Sequence, residues 1–237
     1  MLKITEGKLK KAKQPYEVRL LNVNHLEKII KLQNHVYDQL IDKSKLERLN
    51  EDEFKVILSE NGLMIGVYVS DKLIAVRALL DPTDDPDHLG LAIGLEEKDL
   101  DKVIYQEVSF VHPDYQGNSL QKIMGDLIMK ELSKKEHPYL YVCATVAPDN
   151  IPSLKDKFAQ QMEIKALVTI YGEKQRYVFA KEINQTKPKK EIKKEEYVKL
   201  AEVNHIKEFL KHNFIGTELV EENKEYFIKL VHYKIDE

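Results

Sequence analysis

The sequence predicts an α+β fold, a mixed sheet flanked by helices and followed by a small C-terminal αβ appendage. Three features carry this expectation. Residues 103–111 are an apolar, β-branched and aromatic run that meets Pro113 and a polar turn with Gly117, then Leu120, Ile123, Met124, Leu127, Ile128 and Leu132 at helical spacing. The stretch reads strand, loop, helix. Two pairs of β-rich runs, 63–69 with 73–80 and 166–171 with 177–183, read as hairpins around Ser70-Asp71-Lys72 and Gly172. Finally, residues 184–196 (NQTKPKKEIKKEE) are lysine-rich with Ile192 as their apolar residue, and read as a linker.

The remaining elements follow in order. Residues 1–15 are Lys-rich and read as an N-terminal arm, either solvated or an edge extension, and 16–21 make a first strand. Leu26, Ile29, Ile30, Val36, Tyr37, Leu40 and Ile41 fall mostly on one helical face, with Asn24 expected as the N-cap. A second helix is expected over 51–59, capped by Asn50 and stopped at Asn61-Gly62. Residues 81–87 (DPTDDPD) are too acidic and Pro-rich for a regular element, and their spacing does not match a calcium loop. The helix after Gly117 should run to about Lys135 and end at His137-Pro138. A buried strand, 139–146, and a helix carrying Leu154, Phe158 and Met162 lead into the second hairpin. Beyond the linker, 197–237 should form a strand, a helix with Val203, Ile206, Phe209 and Leu210, and a strand over 226–232. About 40 residues make too small a core to stand alone, so this appendage is expected to pack on the main domain, residues 16–183, or on a second subunit in a homodimer.

Composition narrows the function classes. The chain has 237 residues, is 43% hydrophobic, and carries 37 Lys+Arg against 40 Asp+Glu for a net charge of -3, so no global field recruits nucleic acid or an anionic membrane. Glutamates interrupt the lysines of 184–196 and no aromatic is interleaved with them, which favours a solvated linker over a nucleic-acid patch. The single cysteine, Cys143, lies inside an apolar run and reads as a buried hydrophobe rather than a nucleophile. Basic residues at the start have no apolar block behind them, and no run of 18 uncharged apolar residues occurs, so a cytoplasmic protein with no membrane partner is expected. His205 and His212, seven apart, lack the one-turn spacing of helical metal ligands, and no metal is expected.

The loop before the long helix carries the chemistry. A short glycine-containing loop that enters a helix leaves several N–H groups unpaired at the positive end of the helix dipole, an arrangement that holds phosphate. An ordinary strand-to-helix connection has the same outline. The stretch Gln116-Gly117-Asn118-Ser119-Leu120-Gln121, preceded by Val111-His112-Pro113-Asp114-Tyr115, resembles the acyl-coenzyme A signature of the GNAT (GCN5-related N-acetyltransferase) superfamily. That signature is Gln or Arg, two residues, Gly, one residue, then Gly or Ala; Ser119 and Gln121 stand where the two small residues are usual. The strand 139–146 followed by Pro148-Asp149-Asn150 and Ser153, and the hairpin to Ile183, resemble the fifth strand, the next helix start and the last two strands of that superfamily.

The resemblance covers roughly residues 16–183, as in a bacterial-type member with a C-terminal appendage, and implies a GNAT-like, mostly antiparallel sheet. It implies an N-acetyltransferase that moves an acetyl or acyl group from acetyl-CoA to a small-molecule or peptidyl amine. The amides of residues 116–121 would take the pyrophosphate, with Ser119 presenting its N–H at negative φ and its hydroxyl capping the helix or bonding phosphate. If the strands 103–111 and 139–146 are splayed parallel neighbours, as in the family, the backbone of Phe110 and Val111 would pair with the pantetheine amides, with Asn150 bonding the cofactor from the other side.

Acyl transfer to an amine needs a base, an oxyanion site and a proton for the departing thiolate. Glu107 is the candidate base: strand alternation places it with Tyr105, Ser109 and Val111, although a half-exposed edge charge would look the same. A backbone N–H near Phe110 would hold the oxyanion. The tyrosine that usually serves as acid in the superfamily is replaced here by Lys157, with Phe158 beside it, leaving Tyr105, Tyr141 and Tyr171 as other phenols. That departure keeps a second expectation open, a non-catalytic acyl-CoA-binding or regulatory module.

Overall fold

The computed structural model describes residues 2–82, 85–183 and 191–234. In chain order they form β1 (Lys3–Lys8), β2 (Pro15–Leu20), α1 (Leu26–Gln39), α2 (Glu51–Ile57), β3 (Gly62–Val69), β4 (Lys72–Leu80) and α3 (Leu89–Ala92). Then come β5 (Val103–Val111), α4 (Leu120–Leu132), β6 (Tyr141–Val146), α5 (Ile151–Ala159), β7 (Glu163–Ile170), β8 (Lys174–Glu182), β9 (Ile192–Lys199), α6 (Val203–Lys211), β10 (Ile215–Glu222) and β11 (Glu225–Tyr233). The chain divides into two compact units, Met1–Asp81 with Tyr105–His137, and Pro82–Ile104 with Pro138–Glu237.

In the first unit the strands lie in the order β1-β2-β3-β4-β5, each antiparallel to its neighbour. Alternation sends Val76 and Ala78 of β4 into a core with Ile29, Leu32 and Val36 of α1 and Phe54 and Ile57 of α2. Each of these buried side chains other than that of Ala78 contributes roughly 1.5–3 kcal/mol relative to exposure. Arg77, between Val76 and Ala78, points the other way and bonds α4. Asn50 starts α2 as expected: its Oδ1 accepts from the amides of Asp52 (2.9 Å) and Glu53 (3.0 Å), while Glu53 Oε2 accepts from Asn50 N (2.6 Å). The cap expected at Asn24 falls on Asn22 instead. A 3₁₀ turn over Val23–His25 precedes α1, so the orphan amides occur earlier, and Asn22 Oδ1 accepts from Asn24 N at 3.1 Å.

The N-terminal segment is ordered as an edge strand. β1 pairs with β2, and the tip between them is closed by Leu9 N donating to Gln14 O (2.9 Å) and Lys13 N to Leu9 O (3.1 Å). Lysines suit such an edge because they oppose pairing with another chain. Leu9, only 2% exposed, is the apolar anchor of this tip.

The second unit orders its strands β6-β8-β7-β10-β11-β9, again antiparallel throughout. Of the expected linker 184–196, residues 184–190 lie outside the described residues, as do 83–84 of the acidic loop. From Ile192 onward the expected linker is strand β9, and this corrects that part of the reading. Its charge is explained by its place: β9 is a sheet edge with solvent around most of its side chains, and only Val198 is buried. Lys229 of β11 and Glu195 of β9 pair across the strands at 2.9 Å. The appendage continues the sheet through β10, whose Gly216 stands opposite Ile164 of β7; a Cβ there would lie 2.9 Å from that of Ile164, so glycine permits the close approach.

Candidate functional site

The loop between β5 and α4 is the place where chemistry collects. After Val111, His112 caps a 3₁₀ turn over Pro113–Tyr115, and this turn consumes the amides of Tyr115 (to His112 O, 2.9 Å) and Gln116 (to Pro113 O, 3.1 Å). Gln116 therefore does not offer its N–H, contrary to expectation, because the turn closes on it. Gly117 follows at φ +77°, a region that glycine enters without steric cost. From there, none of the amides of residues 117–122 donates to a backbone carbonyl among the described residues; the ladder of α4 begins with Ile123 N to Ser119 O at 3.1 Å. Gly117, Asn118, Ser119, Leu120 and Gln121 of the expected set thus supply a run of orphan donors at the positive end of a helix of 13 residues. No acidic residue sits in the first turn of α4. These features fit an anion such as a phosphate group.

Ser119 differs from expectation. Its φ is +60° and ψ 23°, the left-handed region, and its hydroxyl does not cap α4. The reason is local: the chain must reverse into the helix at the position where the GNAT signature has glycine, and serine adopts the glycine conformation. Its Oγ instead accepts from Lys10 Nζ at 2.8 Å. Asn118, 4% exposed, locks the loop from within, donating through Nδ2 to Tyr115 O (2.9 Å) and accepting at Oδ1 from Lys11 N (2.9 Å). Lys11 Nζ lies over Gly117, 2.6 Å from where a Cβ would stand. The tip between β1 and β2 thus brings two lysines to the loop, residues whose sequence alone points to no more than an N-terminal arm. The signal was present only as charge, four lysines between Lys8 and Lys13.

Strand β5 carries Glu107, Phe110 and Val111. Val76 stands opposite Phe110 and Ala75 opposite Val111, so β4 covers one edge of both residues. Between the pairs Leu79↔Gln106 and Arg77↔Ser109, β4 advances by two residues and β5 by three. This is a bulge, and it contains Glu107. The expected alternation of Tyr105, Glu107, Ser109 and Val111 on one face is corrected by it: Gln106 and Ser109 both stand opposite the Arg77 face of β4, whereas Val108 and Phe110 enter the core under α1 and α2. Glu107 stays half-buried at the kink. Behind it, the buried guanidinium of Arg77 donates through Nη2 to Gln106 Oε1 (2.7 Å) and through Nη1 to Gln121 O (3.0 Å), tying the bulge to the first turn of α4.

His112 is buried, stacks on His35 with ring centroids 4.4 Å apart, and places Nε2 2.9 Å from Lys72 Nζ. Burial, with Lys72 and His35 beside it, holds its pKa below the ordinary histidine value, against a smaller opposing effect of Asp114.

In the second unit, Asn150 caps α5, its Oδ1 accepting from Ser153 N at 3.2 Å. Lys157 is buried on the same helix with Nζ 3.7 Å from an Asp156 carboxylate oxygen, and Phe158 packs edge-on against Phe179. Of the other phenols, Tyr105 is buried, Tyr141 half-buried and Tyr171 exposed. Cys143 is buried and its thiol pKa is pushed up to about 12 by burial.

No protein-family model matches the chain, and no curated protein matches it in sequence. Solved structures match its fold. The GNAT-family acetyltransferase of Streptococcus pneumoniae is 12% identical, with 71% of this chain and 99% of that one covered at a TM-score of 0.52. YncA of Salmonella typhimurium, solved with its cofactor acetyl-CoA, is 10% identical over 73% of this chain and 97% of its own, TM-score 0.52. The ribosomal-protein-S18-alanine N-acetyltransferase of Escherichia coli is 13% identical over 73% and 97%, TM-score 0.54. The mostly antiparallel sheet with its flanking helices is shared with these proteins, and the chain has the fold of the GNAT-family acetyltransferases.

Proposed function

We propose that this protein is an N-acyltransferase that takes acetyl-CoA as donor and a small-molecule or peptidyl amine as acceptor. The observation that carries the reading is the run of orphan amides over residues 117–122 at the start of α4, next to a strand bulge that holds Glu107. The amides and the helix dipole would neutralise the pyrophosphate. Phe110 and Val111 would meet the pantetheine arm with their backbone, as an added strand does. Asn150 enters on the resemblance alone.

Glu107 would act as general base. The amine attacks in its neutral form and becomes strongly acidic as the C–N bond forms, so a half-buried carboxylate at the site can take that proton while the C–S bond breaks and CoA leaves as a thiolate that is then protonated to the free thiol. An amide near Phe110 would hold the oxyanion. The fold's relatives support the donor class: YncA was solved with acetyl-CoA, and a Thermoplasma acidophilum N-acetyltransferase of the same fold with coenzyme A.

The test is release of free thiol from acetyl-CoA with a broad panel of amines. Turnover is expected, and Glu107→Gln should lower kcat by about 10²–10⁴ with acetyl-CoA affinity unchanged. Absence of acetyl-CoA binding at millimolar concentration would end the reading. Buried Lys157, at the position of the usual phenol, favours a second reading, an acyl-CoA-binding module without turnover. Binding without thiol release across the panel would select it.

A further inference from the structure

We propose that Lys10 and Lys11, at the tip between β1 and β2, are binding residues for the phosphate groups of the donor. The inference rests on the acyl-CoA reading and adds to it a basic clamp from the N-terminal hairpin. Two contacts fix the tip on the loop: Lys10 Nζ donates to Ser119 Oγ at 2.8 Å, and Lys11 N donates to Asn118 Oδ1 at 2.9 Å. The second of these is a main-chain bond to a buried side chain, so the position of Lys11 does not depend on the wandering of its own ammonium.

Electrostatics point to an anion. Both ammonium groups are gathered at the positive end of α4, whose first turn already carries Lys122 and no acid. Cations there oppose the helix dipole, an unfavourable arrangement unless negative charge sits between them. Acids are plentiful elsewhere in the chain, and many exposed lysines use them: Lys3 pairs with Glu17, Lys55 with Glu51, Lys155 with Glu221. Lys10 and Lys11 pair with no carboxylate among the described residues.

The tip is also built to hold its place. Leu9 is buried directly before the two lysines, and the turn is closed at both ends by backbone bonds. Ordering the lysines in advance reduces the entropy lost on binding. A donor with a pyrophosphate and a ribose phosphate carries more negative charge than amides alone offset, and two ammonium groups beside those amides neutralise part of the remainder.

The experiment compares wild type with Lys10→Gln/Lys11→Gln by calorimetry against CoA and inorganic pyrophosphate at two salt concentrations. Acetyl-pantetheine, which lacks phosphates, is the control donor. The double variant should lose about tenfold in CoA affinity for each lost charge-assisted contact, about a hundredfold together. Its residual affinity should depend less on salt. Lys10→Arg/Lys11→Arg, which keeps the charge, should retain CoA binding within about threefold, and guards against a folding defect as the cause.

CoA affinity unchanged in the Gln variant overturns the proposal, and so does an equal loss toward acetyl-pantetheine, which would mean that the tip only shapes the loop. Wild type that fails to bind CoA but binds pyrophosphate in a Lys10- and Lys11-dependent way overturns the acyl-CoA reading while leaving the basic clamp. Wild type that binds neither overturns both.

Discussion

Ser119 offers the sharpest test of the loop. It stands at φ +60° with a Cβ, and the left-handed region costs a non-glycine residue about 1–2 kcal/mol. Two substitutions remove the hydroxyl, and with it the bond from Lys10, equally: Ser119→Gly and Ser119→Ala. They differ in backbone freedom alone. Glycine relieves the conformational cost but returns about 0.4–1 kcal/mol through the entropy of its unfolded chain, so it should exceed alanine in stability by about 1 kcal/mol. For a chain of this size that is a melting-temperature difference of about 2–4 °C, read by circular dichroism or a thermal shift. At a right-handed or extended position the order reverses, with alanine the more stable by about 0.4–1 kcal/mol. An alanine variant that melts above the glycine variant would refute the left-handed entry into α4, and with it the placement of the orphan amides.

Two further outcomes are expected. Cys143, with its thiol pushed up to about 12, should resist a thiol reagent at pH 8 in the native protein and react fully on addition of denaturant; rapid native labelling would contradict its burial. His112 is held neutral in the folded state by burial and by Lys72 and His35, so the unfolded chain binds its proton more readily. The stability it contributes is therefore complete above about pH 6.5 and declines as the pH falls below that value. His112→Asn should flatten the fall in melting temperature between pH 7.5 and 5.5, and an unchanged slope would argue against the depressed pKa.

Much of this was legible in the residues, and the exceptions have physical causes. Val103–Val111 reads as a strand because six of its nine residues are β-branched or aromatic, and Asn50 with Glu53 writes a capping box in four residues. The bulge at Glu107 is not legible, since alternation cannot show where a strand spends an extra residue against its neighbour. β9 has the composition of a linker because an edge strand and a solvated segment look alike in sequence; solvent faces most of both. The short helix Leu89–Ala92 has too few residues to show a period. At the candidate site, Gly117 announces a turn, but the left-handed serine two residues later goes against its own propensity, and the two lysines reach the loop from more than a hundred residues away in the chain.

On the proposed function, residues 117–122 hold the phosphates of an acyl-CoA. Titration of the ¹⁵N-labelled protein with acetyl-CoA, followed at the amide resonances, reads this contact residue by residue. Saturable shifts should be largest at the amides of Gly117, Asn118, Ser119, Leu120, Gln121 and Lys122. Saturable binding that leaves these six amides unmoved would contradict that contact.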